Sequence, residues 1–282
     1  MLGSGLVPIR AGNQQRRAYT FVGPPTIPSM QSLWRSLPTE RRTNNRPLSG
    51  VAFVIDLTFG IYHYIGGELL ECAALNPAIR PLVRSFRPLA SPNSLLFIHV
   101  PRNAGVSIRA AMGTGHRAHR TLTYYRAVYP GEVSSKTTFA VIRDPISRFR
   151  SAYQFVVGRG AENAGLNGLS RLMTAGVKSI DDYISFLEDR RHHLDRLDSV
   201  MRTQSHYAVD EATGSTVDEL FALEHCSSAL SDFLIDHGFN AVGRLNRSAA
   251  AVDALTKKQT QRVEQLYAQD MELHERARTA NA

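Results

Sequence analysis

Residues 95–112 read LLFIHVPRNAGVSIRAAM, and this segment changes character twice in a way that decides the fold. Leu95 to Val100 is a compact apolar run with β-branched Ile98 and Val100, closed by Pro101. A run of this length without polar alternation reads as a buried strand of a parallel sheet. Pro101, Arg102, Asn103, Ala104, Gly105 and Val106 then make a loop, and Ser107 to Met112 open a helix. Residues 138–143, TFAVIR, repeat the design. This run ends at Asp144 and Pro145 and leads into ISRFRSAYQFVV, where Ile146, Phe149, Arg150, Tyr153 and Val157 recur at spacings of three and four. Strand, loop and helix, used twice, predict an α/β fold with a central, mainly parallel sheet flanked by helices and with ligand-binding loops at the strands' carboxyl ends. Further helices are predicted over 180–190, 227–237 and 257–278, with a short strand near 220–223.

The 282 residues, 43% of them hydrophobic, suffice for one catalytic-sized domain, taken as 48–282, behind a tail of 1–47. Two cysteines, Cys72 and Cys226, build neither a disulfide framework nor a zinc site of thiolates, and no HExxH or dense carboxylate cluster calls for a metal. The net charge of +8 is concentrated in the tail, where seven arginines stand against Glu40 alone. The body keeps only about +2, which argues against a nucleic-acid partner. Rich in Pro, Gly, Asn and Ser and without apolar periodicity, the tail reads as disordered. Its composition fits a transit peptide, an over-long start upstream of Met30 or a plain extension. Residues 51–67 are apolar but contain Asp56 and His63 and fall short of the ~20 residues a spanning helix needs. They read as a buried helix, so a soluble, cytoplasmic protein without a transmembrane helix is the expectation.

In the first loop, Ala104 and Gly105 let the backbone approach a ligand, the helix start offers unpaired N–H donors, and Arg102 and Ser107 add a charge and a hydroxyl: an anion cradle. The alternative is an ordinary strand-to-helix turn capped by Ser107. The spacing is not that of a Walker A loop, GxxxxGK[ST]. In the second segment Arg143 ends a strand and Ser151 follows eight residues later, a fork and a hydroxyl suited to a terminal phosphate. Arg148 between them binds or braces the loop. The alternative there is a set of solvated arginines pairing with Asp144.

Together the segments resemble the PAPS-dependent sulfotransferase superfamily, in its carbohydrate branch, with a PKTGGTS-like first loop and an RxPxxRxxSxY second motif. QSHYAVD, LFALEHC, LNRS and LYAQDMELHE resemble weaker signatures downstream, so the likeness spans about 94–276. It implies a P-loop-like, three-layer fold and transfer of a sulfuryl group from 3′-phosphoadenosine 5′-phosphosulfate (PAPS) to a hydroxyl of a glycan or glycolipid. It also implies that Arg102, Asn103, Ala104, Gly105, Val106 and Ser107 hold the 5′-phosphosulfate and that Arg143 and Ser151 hold the 3′-phosphate. The chain departs from the pattern at Arg102, where the family has lysine, and at Asn103 and Val106, where it has threonines.

The transfer needs a cation at the leaving oxygen and a base at the acceptor. Arg102 is the candidate cation. His119 is the candidate base, chosen over His116 because HRTLTYYR better resembles the family's position. His99, at the end of the first strand, reads as a structural residue, and His192 and His193 as solvated. Arg244, Asn246, Arg247 and Ser248 form a polar cluster that closes over the nucleotide or makes a turn. Two rival functions stand beside transfer: a relative that binds glycan or 3′-phosphoadenosine 5′-phosphate (PAP, the desulfated product) without catalysis, and a nucleotide-dependent kinase.

Overall fold

The computed structural model describes residues 76–78, 80–86, 89, 94–114, 119–158, 166, 168–243 and 254–280. The tail of 1–47, the predicted helix of 51–67, His116 and the cluster from Arg244 to Ser248 lie outside them. Strands β1 (Leu95–Phe97), β2 (Thr137–Ile142) and β3 (Glu219–Ala222) form a parallel sheet in that order, with Leu95 opposite Thr137 and Phe139 opposite Glu219. The helices are α1 (Arg80–Phe86), α2 (Gly105–Ala111), α3 (Leu122–Val128), α4 (Pro130–Ser134), α5 (Pro145–Val157) and α6 (Gly168–Met173). They continue with α7 (Ile180–Glu188), α8 (Gln204–Ala208), α9 (Ser227–Asp236), α10 (Lys257–Leu266) and α11 (Ala268–Ala280). No helix among the described residues is long and apolar enough to cross a membrane.

The twofold period of the strands sorts the core. Leu95, Phe139, Val141 and Phe221 point to one face, where they meet Ile108 and Ala111 of α2 and Leu230 and Leu234 of α9. Leu96, Ala140, Ile142 and Ala222 point to the other and meet Leu122 and Tyr125 of α3, Tyr207 of α8 and Leu273 and Ala277 of α11. Helices thus cover both faces, which is why the strand sequences show no polar alternation. A third apolar cluster joins α5, α7 and α10 through Phe149, Phe155, Tyr183, Ile184, Leu187 and Val263.

Local chemistry sets the element ends. Pro145 occupies the first position of α5, and Asp144 caps it by accepting from the Ser147 N–H at 2.8 Å. The helix predicted over 257–278 is two helices, because Tyr267 leaves helical geometry (φ −115°, ψ 32°). Its ring is buried and its hydroxyl donates to the Met201 carbonyl at 3.1 Å. The carboxyl ends of the strands deliver Pro101, Arg143 and Glu224 to one edge of the sheet, and the candidate residues collect there.

Candidate functional site

The loop after β1 is strained and clamped. Arg102 (φ 71°) and Ala104 (φ 58°) sit in the left-handed region, at a cost of ~1–2 kcal/mol each for residues with a Cβ. Its backbone is held from three directions. The Pro101 carbonyl accepts from Arg148 Nε at 3.3 Å and the Arg102 carbonyl from Arg143 Nη1 at 3.3 Å. The Asn103 amide turns inward and donates to the Val141 carbonyl at 2.7 Å and to Gln204 Oε1 at 2.6 Å. Helix α2 begins at Gly105, two residues earlier than the sequence reading, and its cap residue, Ala104, makes no side-chain bond. Ser107 is therefore inside the helix, not at its cap.

The two motifs meet through side chains. Arg102 Nε donates to Ser151 Oγ at 3.0 Å, and the Arg102 guanidinium lies 5.2 Å from the centre of the Phe155 ring. Ser151 is buried on α5, one turn beyond the equally buried Arg148. Among the described residues Arg102, Arg143 and Arg148 form no ion pair with a carboxylate, whereas Arg126, Arg262 and Arg278 each do. Arg148 Nη2 is buried with no hydrogen-bond partner. Asp144, the expected partner, spends its carboxylate on the cap of α5. Burial lowers the Arg102 pKa from its ordinary value, and the neighbouring charges of Arg143 and Arg148 lower it further. Three half-buried or buried guanidinium groups at one strand edge make a site that an anion stabilises.

Four further residues shape this edge. Gln204, fully buried, accepts from the Arg143 N–H at 2.9 Å and donates to the Arg143 carbonyl at 2.8 Å, so one carboxamide joins the β2 end to Asn103 of the first loop. Asp270 of α11 holds Gln204 in turn, accepting from the Gln204 and Ser205 N–H groups at 2.7 and 2.8 Å. Burial raises the Asp270 pKa, with Arg148 and the two N–H groups opposing. Glu224, after β3, accepts from the Asp144 N–H at 3.1 Å and meets His274 Nε2 at 3.2 Å. Each of these four residues lies in one of the weak downstream segments, where nothing local distinguishes it from a surface polar residue.

The Glu224–His274 pair predicts a pH dependence. The hydrogen bond to Glu224 raises the His274 pKa above its ordinary 6.5, outweighing burial. Burial pushes Glu224 up, but the bonds from His274 and the Asp144 N–H outweigh it and hold the carboxyl below its ordinary 4.5. The His274 contribution is therefore complete below 6.5 and lost as pH rises through its raised value; that of Glu224 is present above 4.5 and lost as pH falls through its lowered value. Melting temperature measured against pH should fall less steeply above pH 6.5 in His274→Gln than in the unmutated protein; equal slopes would show that the pair contributes nothing.

Gly105 faces a protein group. A Cβ built there would stand 1.9 Å from His99 Nε2 and 2.1 Å from its Cδ2. Gly105→Ala is thus expected to lower unfolding stability by ~1–3 kcal/mol in a urea titration, since the buried ring must move. Gly131→Ala, on α4 with nothing within 4 Å of its Cβ, serves as the neutral comparison. The His99 ring is buried, stacks on Phe97 at 5.5 Å and lies 4.4 Å from the ring of half-buried His119. Val106 is 61% exposed beside the loop. His192 accepts from Arg191 Nε at 3.1 Å, and both it and His193 are exposed, as expected.

A cleft of about 450 Å³ lined by Thr203, Ser205, His206, Glu211, Gln269 and Glu272, among others, contains none of the residues read as anion-binding. Its lining includes Thr203 and Ser205, the chain neighbours of Gln204. No group of three or more His, Cys, Asp or Glu side chains arranged for a metal occurs among the described residues. Comparison with family models, with curated proteins and with solved structures finds no match to this chain.

Proposed function

We propose that the chain is a PAPS-dependent sulfotransferase acting on a hydroxyl of a carbohydrate-type acceptor, on a three-layer, P-loop-like variant of the α/β fold. One observation carries this reading: the 3.0 Å contact between Arg102 and Ser151, which joins two anion-binding segments 49 residues apart at an edge rich in unpaired guanidinium charge. In this mechanism the acceptor oxygen attacks sulfur in line, the bond from sulfur to the 5′-phosphate oxygen breaks with its electron pair leaving on PAP, and the acceptor proton passes to His119. Arg102 faces the negative charge that grows on the leaving oxygen, while Arg143 and Ser151 hold the 3′-phosphate. Occupation of both positions parts Arg102 from Ser151, exchanging their bond for stronger ones to anionic oxygen. The strained loop supports the assignment, because clamped left-handed residues concentrate at ligand sites.

A second reading, retention of PAP without transfer, draws on Asn103 and Val106. The first turns its amide into the sheet and the second is aliphatic, so neither offers the hydroxyl that the resemblance leads one to expect. Transfer of labelled sulfate from PAPS to a panel of glycans, glycolipids and small phenols tests the proposal, with PAP and ATP titrations alongside. Transfer supports it, PAP binding without transfer to any acceptor favours the second reading, and tight ATP binding without PAP binding overturns both.

A further inference from the structure

His99 looks like a packing residue in the sequence, yet its ring touches both halves of the site. It sits at the end of β1, one residue past the Ile98 N–H bond to the Phe139 carbonyl at 2.8 Å, and is 8% exposed. Phe97, itself stacked on Phe139 with centres 5.0 Å apart, supports one side of it at 5.5 Å. Another part of the ring lies so close over Gly105 that no Cβ fits, and the His119 ring follows at 4.4 Å with the planes tilted by 54°.

We propose that His99 is a positioning residue that fixes His119 relative to the loop of residues 101–106. The reaction it serves rests on the sulfotransferase reading. A ring wedged between the sheet, the Gly105 backbone and His119 transmits the place of the loop to the base, and a base displaced by about 1 Å loses ~10²-fold in rate.

The test compares His99→Ala, His99→Phe, His119→Ala and the double variant His99→Ala/His119→Ala in the full chain. Turnover, the KM for PAPS and PAP affinity are measured. His99→Ala should lower kcat by ~10- to 100-fold with PAP affinity within a few-fold, and the double variant should be no slower than His119→Ala, because a residue that acts only through His119 has nothing left to act on. A double variant slower than His119→Ala by the full His99→Ala factor overturns the proposal, since that is the mark of an independent packing defect. His99→Phe keeps a ring against Phe97 and His119 and should recover most of the lost turnover; a His99→Phe as slow as His99→Ala overturns the proposal. An unmutated protein that transfers no sulfate to any acceptor overturns the sulfotransferase reading and, with it, the base that His99 would position.

Discussion

Replacing His119 with alanine is expected to lower sulfuryl transfer by about 10²- to 10⁴-fold while leaving PAP affinity nearly unchanged, the range typical for loss of a general base. His119 is half-buried and its ring rests on His99, which itself lies against Gly105 at the start of α2. Of the other bases in this stretch, Glu132 is turned to another task. It lies on α4 before the start of β2 and pairs with Arg84. The six residues of β2 separate that end of the strand from Arg143 by ~20 Å. Glu132→Ala should therefore transfer sulfate at the unmutated rate. Turnover and PAP affinity of His116→Ala, His119→Ala and Glu132→Ala, measured side by side, decide the matter: more than about a tenth of the original turnover in His119→Ala would refute the assignment.

Arg143→Ala should weaken PAP by ~10- to 100-fold and adenosine 5′-phosphosulfate, which lacks the 3′-phosphate, much less. The Arg143 backbone is pinned on both its N–H and its carbonyl by Gln204, so removing the side chain leaves the strand end in place and isolates the guanidinium's own effect. Ser151→Ala should show the same preference for the ligand without a 3′-phosphate. It also deprives Arg102 Nε of its acceptor, so some loss should reach both ligands. Titration calorimetry with the two nucleotides separates these outcomes, and equal losses of both ligands in Arg143→Ala would place this arginine elsewhere than at the 3′-phosphate.

The sheet was readable because its strands are covered on both faces. Leu95 to Val100 and Thr138 to Arg143 have no polar alternation, and Pro101 and Pro145 mark where each chain segment turns. Helix α3 does not stand out in the sequence although Leu122, Tyr125 and Val128 recur every three residues, because seven residues are too few to establish a helical period. The glycine of the first loop was readable as a point of close approach, but the sequence does not say what approaches, and His99 meets it. Arg148 was open between binding and bracing; its Nε on the Pro101 carbonyl is a brace. Gln204, Asp270, Glu224 and His274 were illegible for a different reason. Each works through main-chain groups or a partner more than 45 residues away, and a hydrogen bond to a distant backbone leaves no period or local spacing to detect.

The carboxamide of Gln204 has a consequence for how the protein is made. It ties Asn103 to the end of β2, and it is itself held by Asp270, far downstream. In a nascent chain the tie from Asn103 to Gln204 forms only after α8 has emerged, and its support from Asp270 only after α11 has. At 5–20 residues per second the stretch from Asn103 to Asp270 takes ~10–30 s to synthesise.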